Sequence, residues 1–173
     1  INYAYLKGVP HRRFEQGEKP LFIYQHILAP HPPFNITPTR APRSLGVSAP
    51  ILADNSTNIQ SDENRRAAYR KGYLDKLQYI NSAILLQIDA LKESLDGPII
   101  ILLHGDHGGG LHVEQEDKEK TCSSERFSPL LAVYASDKRV LSEFGDDFNI
   151  INIYRAIFRA TLKAQLPDLS AGS

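Results

Sequence analysis

Short apolar runs and one long periodic segment define the pattern of hydrophobic and polar positions along the chain. Leu21 to Leu28 is mostly apolar, and Ile99 to Leu103 and residues 129–136 are two further runs of strand length. Unbroken apolar runs rich in β-branched residues are typical of strands covered on both faces of a sheet. The sequence therefore predicts three strands, the first of which ends at the three prolines of "APHPPF".

A long amphipathic helix is predicted between the first two strands. It begins at Ser61 or Asp62, whose short polar side chains can cap free N–H groups, and it ends at the Asp-Gly-Pro sequence 96–98. Gly72 lies inside it and costs on the order of 1 kcal/mol relative to Ala. The apolar positions follow spacings of three and four and form one stripe: Tyr73, Leu77, Ile80, Ile84, Ile88, Leu91 and Leu95.

A second helix is predicted at 152–162, with Asn152 as its N-cap. The order strand, helix, strand, strand, helix favours an α/β sheet flanked by helices, and 173 residues suit one domain. Residues 1–19 are polar and are expected to form a connecting segment. Residues 35–64 predict a long loop, which either covers a pocket or is a disordered excursion.

Composition excludes several classes of protein. Twenty basic residues balance twenty acidic ones, whereas nucleic-acid binders usually carry a basic excess, so no nucleic-acid partner is expected. No apolar run reaches the ~18 residues that a membrane span requires. Cys122 is the only cysteine, so no internal disulfide can form. The chain starts at Ile1 and contains no methionine, and we therefore expect it to be a piece of a longer protein.

Candidate chemistry follows the second predicted strand, in "HGDHGGGLH" at 104–112. A carboxylate and an imidazole at Asp106 and His107 suit a divalent ion such as Zn²⁺ or Mn²⁺. The neighbouring glycines permit the sharp turn that adjacent ligands need. A glycine-rich turn with polar side chains explains the same residues without a metal. His104 continues the strand and is equally a buried structural side chain, whereas His112 lies past the glycines and can reach a ligand.

His31 lies between prolines at the end of the first predicted strand. Rigid placement there suits a histidine that contacts a phosphate or sulfate, although an incidental histidine in a proline-rich turn is as plausible. His26, inside the strand pattern, is expected to be structural. Arg126 precedes a strand and is either a partner for an anionic substrate or an ordinary surface residue. Because ligands of α/β sheets bind outside the carboxyl ends of strands, we expect His31 and residues 106–112 at one rim.

Four stretches together resemble the sulfatase-like part of the alkaline phosphatase superfamily. They are "KPLFIYQHILAPHPPF", "YLDKLQYINSAILLQIDAL", "PIIILLHGDHG" and "ERFSPLLAVY". The resemblance as a whole covers residues ~20 to 165. The likeness extends to bacterial membrane proteins whose soluble C-terminal domain is sulfatase-like. The resemblance implies an alkaline-phosphatase-like three-layer sandwich, with a central, mostly parallel sheet flanked by helices, of which this chain is the C-terminal half.

The resemblance also implies metal-dependent hydrolysis or transfer of phosphate or sulfate esters. A divalent ion, whether Mn, Zn, Mg or Ca, stabilises the attacking oxygen and the charge on the transferred group. Asp106 and His107 match the metal-binding positions, and His31 and His112 match substrate-binding positions. Either Lys118 or Lys120 corresponds to the lysine that sulfatases have in this region, although the alignment there is loose.

In the family the nucleophile and at least one acidic metal ligand lie N-terminal to these stretches, and residues 1–19 contain no Ser, Thr or Cys. The resemblance thus implies a fragment that lacks the nucleophile, is inactive alone, and has the missing N-terminal half as its partner. The expected substrate is an anionic ester, such as an envelope lipid or glycan. The chain is expected to belong to an extracytoplasmic domain of a membrane protein. A non-catalytic anion- or glycan-binding module and a scaffold without a site are the alternatives.

Overall fold

The structure is a computed structural model. One long helix forms most of the N-terminal half of the residues that it describes. The residues described are 20–34, 36–37, 39, 62–114, 117–145 and 148–170. Helix α1 (Glu63–Ser94) is capped by Asp62, whose side chain accepts hydrogen bonds from the N–H groups of Asn64 and Arg65. The helix ends just before the Asp-Gly-Pro sequence, so both predicted ends are confirmed.

The predicted apolar stripe of α1 is its less exposed face. Ile80 is buried, and the other six positions of the stripe are partly buried. Tyr79 and Ile80 form a small core with the segment that precedes the helix. Five partly buried residues pack against this pair: Ile27, Ala29, Ile36, Ala83 and Ile84.

The second and third predicted strands are present but pair differently from the expectation. Strands β1 (Ile100–His104) and β2 (Leu131–Ala135) form a two-stranded antiparallel sheet, with Ile100 opposite Ala135. The expected parallel arrangement is therefore wrong for the part of the chain that the structure describes. Parallel neighbours need a long crossover, usually a helix, and the described residues of the connection here form only a three-residue 3₁₀ turn and a four-residue α-helix. The expected central position of β1 is also not observed, because its residues are only half-buried.

The predicted strand Leu21 to Leu28 is wrong, since these residues have no regular secondary structure. Leu21, Phe22, Ile23 and Tyr24 are 47%, 68%, 53% and 67% exposed. A strand needs a neighbouring strand to satisfy its N–H and C=O groups, and none of the described residues pairs with this run. Apolar composition alone therefore did not produce a strand.

Three helices complete the C-terminal half: α2 (Ser123–Arg126), α3 (Lys138–Leu141) and α4 (Ile153–Leu162). Two 3₁₀ turns lie at Lys118–Lys120 and Ile150–Asn152. Helix α3 packs against β2 and α4. The buried residues of this second small core are Ala135, Val140, Ile153 and Ala156.

Helix α4 confirms the predicted helix at 152–162, but the capping role of Asn152 is wrong. Asn152 occupies the N-cap position without a capping hydrogen bond from its side chain. Its amide instead donates to the carbonyl of Leu169 at 3.0 Å and accepts from the Leu169 N–H at 2.8 Å. The side chain, only 5% exposed, thereby fastens the segment after α4 to the start of that helix.

No described helix combines the length and the hydrophobicity needed to cross a membrane. The predicted connecting segment 1–19 and most of the predicted loop 35–64 lie outside the described residues.

Candidate functional site

The proline-rich turn that carries His31 packs on the first half of α1. Phe34 is buried and meets Tyr69 edge-on, with ring centroids 4.9 Å apart. A Cβ atom at Gly72 would lie 2.6 Å from the Cβ of Phe34. Gly72, a weak helix former, is thus the position that lets the Phe34 ring approach the helix.

Lys76 ties the backbone of this turn to α1. Its Nζ donates to the carbonyl of His31 at 2.5 Å and to that of Pro33 at 3.3 Å. Lys76 is completely buried, and burial lowers its pKa to about 8. The Nδ1 of His31 lies 2.8 Å from the carbonyl oxygen of Pro32 and therefore donates to it. The Nε2 atom of His31 is left available for a ligand.

The loop of residues 105–112 is held against the segment that precedes β2. Gly108 N–H donates to the carbonyl of Arg126 at 2.7 Å. A Cβ atom at Gly108 would lie 1.8 Å from the backbone oxygen of Glu125, and one at Gly109 would lie 2.6 Å from its Oε1. Gly108 and Gly109 therefore allow Glu125 to approach the loop more closely than a residue with a Cβ would permit.

Asp106 and His107 face each other on this loop. Asp106 is 82% exposed, and its Oδ1 accepts from the backbone N–H of His107 at 3.0 Å. The Nδ1 of His107 lies 2.9 Å from the carbonyl oxygen of Gly108 and therefore donates to it. Its Nε2 lies 3.5 Å from Oδ2 of Asp106. When the His107 ring is neutral, Nε2 of His107 and Oδ2 of Asp106 are both hydrogen-bond acceptors and repel each other. A cation or a proton bound between them removes this repulsion.

The donor types of this pair fit a divalent ion, and the orientation of His107 fits it as well. A metal-binding imidazole usually donates its other ring N–H to a carbonyl or a carboxylate, as Nδ1 of His107 does. Within the described ranges, however, no group of three or more His, Cys, Asp or Glu side chains is placed to hold a metal. The pair therefore offers two donor atoms, whereas a four-coordinate site needs four.

His112 is oriented by Glu125, a residue that the sequence analysis missed. The Nδ1 of His112 donates to Oε2 of Glu125 at 2.7 Å, and the backbone N–H of Leu111 donates to Oε1 at 2.9 Å. These contacts leave Nε2 of His112 available, as in His31. No sequence pattern predicts this pair, because the two residues are 13 positions apart and do not lie on one periodic element.

His112 also borders a groove along the first half of α1, with a cavity of about 610 Å³. Arg66, Arg70 and Lys71 line this groove on the helix side. Arg66 pairs with Glu63, and Lys71 pairs with Asp75 at 3.2 Å. Arg70 makes no ion pair with any residue of the described ranges, so the groove keeps an unneutralised positive charge.

Helix α1 is the element that the predicted substrate residues share. His31 is tied to it through Lys76, and His112 borders the groove along the same half of the helix. Asp106 and His107 lie on the loop that leads to His112. No hydrogen bond or ion pair between described residues joins His31 to Asp106 or His107.

The remaining candidates lie apart from this arrangement. His26, expected inside a strand, is exposed beside Tyr24. His104, considered as a buried residue, is also exposed, with Nε2 3.4 Å from the hydroxyl oxygen of Tyr154. Lys118 is exposed, and Lys120 forms a 2.9 Å ion pair with Asp117. Neither lysine makes a described contact with the loop of residues 105–112.

Comparison with known proteins gave a match to a family model. A family model described as Sulfatase matches residues 12–141, which include the His31 turn, α1, β1 and the loop that follows it. No curated protein and no solved structure gives a significant match. The family has an α/β fold of the alkaline phosphatase type, its activity is hydrolysis of sulfate or phosphate esters, and its members generally use divalent metal ions. Since the match covers most of its length, the chain belongs to the sulfatase family.

Proposed function

We propose that this chain supplies the metal- and substrate-binding half of a metal-dependent hydrolase or transferase that acts on phosphate or sulfate esters. The observation that carries the proposal is the orientation of His107. Its Nδ1 is held by the Gly108 carbonyl, and its Nε2 faces the Asp106 carboxylate at 3.5 Å. Together with the sulfatase match, this orientation supports metal binding by these two residues.

In this proposal Asp106 and His107 hold one divalent ion, of the Mn, Zn, Mg or Ca type. When bound, such an ion acts as a Lewis acid at an oxygen of the ester. Asp106 contributes a negative charge, and the Gly108 carbonyl keeps the His107 ring in the tautomer that presents Nε2. The tight contact of Gly108 with the backbone of Glu125 fixes the loop that carries both ligands.

His31 and His112 are proposed to contact the transferred group. Each ring has Nδ1 fixed by an acceptor of the protein, the Pro32 carbonyl for His31 and the Glu125 carboxylate for His112. In the imidazolium form each Nε2–H can donate to an anionic oxygen while Nδ1 keeps its partner. The Glu125 carboxylate neutralises the charge that His112 then carries.

The partner proposed for the chain is the N-terminal half of the same domain, which would bring the nucleophile and further acidic ligands. The exposed apolar run from Leu21 to Tyr24 supports this, because it has the composition of a strand without a neighbour. By resemblance we place the domain outside the cytoplasm, as part of a membrane protein, with an anionic envelope lipid or glycan as substrate. Alone, the chain would be inactive.

A second candidate is a non-catalytic module of the same fold that binds an anion or a glycan. The observation that favours it is the small donor set, since the described residues form no group of three or more metal-ligating side chains. In such a module His31, His112 and Arg70 would bind the anion directly, without a metal.

Calorimetric titration with Mn²⁺ and Zn²⁺ tests the proposal. We expect the unaltered full-length protein to bind one of these ions, and Asp106→Ala and His107→Ala to weaken binding by about tenfold or more. His104→Ala is the matched control, because His104 is exposed and contacts Tyr154 instead of Asp106. Equal metal affinity in all four proteins would refute the metal site. Metal-independent phosphate binding that is lost in His31→Ala and His112→Ala would favour the binding module.

A further inference from the structure

Three successive carbonyl groups of the His31 turn are each held by a side chain. Proline has no backbone N–H, so a turn with prolines on both sides of His31 has few internal donors for its carbonyls. The Pro32 carbonyl accepts from Nδ1 of His31, and the carbonyls of His31 and Pro33 both accept from Nζ of Lys76. A single ammonium group thus fixes the backbone on both sides of the peptide unit to which the His31 ring is hydrogen-bonded.

Lys76 is unusual for a buried lysine, because its described partners are carbonyl oxygens alone. It is 0% exposed. The neighbouring carboxylate, Asp75, lies within 3.2 Å of Nζ of Lys71, and no carboxylate of the described residues contacts Nζ of Lys76. An apolar side chain of similar length would fill this space without the cost of burying a charge. The contribution of the ammonium is therefore the conformation that it imposes on the turn.

We propose that Lys76 is the positioning residue for the substrate contact of His31: by holding the carbonyls of His31 and Pro33, it keeps the imidazole against the Pro32 carbonyl, so that in the imidazolium form Nε2–H is presented to an anionic ester oxygen. This inference rests on the proposed function, in which His31 contacts the transferred group. Lys76 itself touches no substrate, since it is closed off from solvent beneath the turn. Its effect is transmitted through the backbone of residues 31–33.

The His31 ring is the direct readout of this role. In the unaltered protein the ring is expected to be a single tautomer with its proton on Nδ1, which ¹⁵N NMR of the ring nitrogens identifies. In Lys76→Met the two carbonyls lose their donor and the turn is released. We expect the His31 signals to move to the averaged values of a free imidazole and the affinity for inorganic phosphate to fall about tenfold. The signals of His112, which is fixed by Glu125, should not change.

Two further variants of the full-length protein sharpen the experiment. Lys76→Arg keeps a cationic donor at the same position and is expected to retain most of the His31 signal and of the phosphate affinity. Lys92→Met is the matched control, because it makes the same change at an exposed position of α1 and should alter neither readout. His31 signals that stay unchanged in Lys76→Met would overturn the positioning role and leave the proposed function intact.

The opposite failure is distinguishable. If His31→Ala keeps full phosphate affinity although Lys76→Met shifts the His31 signals, the substrate role of His31 is refuted, and this inference is refuted with it. Should Lys76→Met not fold, the unaltered protein decides the matter. Ammonium protons held by two carbonyls are expected to exchange slowly with water, and fast exchange would overturn the inference.

Discussion

The carboxylate of Glu125 holds the loop of residues 105–112 with both of its oxygens. One oxygen accepts from the backbone of Leu111 and the other from the ring of His112. The same carboxylate lies against Gly109, at a distance that a Cβ atom there would not permit. Glu125 therefore determines both the path of the loop and the tautomer of His112.

Glu125→Gln tests this double role. An amide can still accept from Leu111, but its NH₂ group then faces Nδ1 of His112, which accepts a hydrogen bond only when the ring proton moves to Nε2. A charge-assisted hydrogen bond is then replaced by a weaker neutral one. We expect the free energy of unfolding to fall by about 1 kcal/mol in urea denaturation, and the His112 ring to change tautomer by NMR. Glu93→Gln, an exposed change on α1, is the control. A His112 tautomer that survives in Glu125→Gln would show that another contact orients the ring.

The lowered pKa of Lys76 makes a signed prediction for stability. In the folded chain, burial lowers the pKa of Lys76 to about 8, below its ordinary value of 10.5. Between these two values the unfolded chain binds more protons, so the contribution of Lys76 to the free energy of unfolding rises with pH. The full rise is on the order of 3 kcal/mol, since one pKa unit corresponds to about 1.4 kcal/mol.

Urea denaturation of the unaltered protein and of Lys76→Met, at several pH values from about 7.5 to about 10.5, measures this contribution as a difference. As the pH increases, the free energy of unfolding of the unaltered protein should rise relative to that of Lys76→Met. A difference that is flat across this range would mean that Lys76 is hydrated in solution.

Helix α1 and the proline-rich turn are joined by one steric fit between Phe34 and Gly72. Intrinsic helix propensity favours Ala over Gly by about 1 kcal/mol. The Cβ of an alanine at 72 would nevertheless lie 2.6 Å from Phe34, and overpacking of this kind costs about 1–3 kcal/mol. The two effects have opposite signs, so substitution can separate them.

We expect Gly72→Ala to lower the free energy of unfolding by about 1 kcal/mol in chemical denaturation. In the background of Phe34→Gly, which removes the Cβ as well as the ring, the same substitution should instead raise it by about 1 kcal/mol, because only helix propensity remains. Gly97→Ala is the control, since a Cβ there meets nothing within 4 Å. A Gly72→Ala effect of the same sign in both backgrounds would contradict the proposed contact.

The described residues bury few large apolar side chains and leave many exposed. One small core lies under the His31 turn and the other between β2, α3 and α4. Exposed large hydrophobic residues include Phe22, Tyr24, Leu85, Leu86 and Phe127. Such a surface is expected of a chain that lacks a covering partner, which supports the proposed N-terminal half.

Hydrogen exchange tests that partner. When the N-terminal half is present, the amides of residues 21–28 should exchange at least about tenfold more slowly, because the partner covers this exposed run. Amides of the α1 core around Ile80 should change little and serve as the control. Unchanged exchange at 21–28 would refute the proposal that the N-terminal half covers this run.

Local patterns in the sequence located the two longest helices of the described residues and two of the three predicted strands, but not the four-residue helices α2 and α3. The Asp62 cap, the Asp-Gly-Pro end and the apolar stripe of α1 are properties of neighbouring residues, and each is found in the structure. Strand pairing depends on residues far apart in sequence, and there the expectation was wrong. The run from Leu21 to Leu28 has the composition of a strand but pairs with no described strand. Strand β1 pairs with β2 in the antiparallel direction.

At the site, the sequence identified side chains by chemical type but not the groups that orient them. His31 and His112 were expected because imidazoles near a strand end or a glycine-rich loop suit anion binding. Lys76 and Glu125 were not expected, since Lys76 acts on a carbonyl 45 positions away and Glu125 on a ring 13 positions away. Neither contact belongs to a periodic element that a pattern could predict.

Paramagnetic broadening by Mn²⁺ tests most directly whether the two loops serve one metal-dependent site. Added in small amounts to the full-length protein, Mn²⁺ should broaden the ring signals of His107, His31 and His112 together. Mg²⁺, which is diamagnetic, should not, and Asp106→Ala should remove the effect. Broadening of His107 with sharp His31 signals, or equal broadening in Asp106→Ala, would contradict the account.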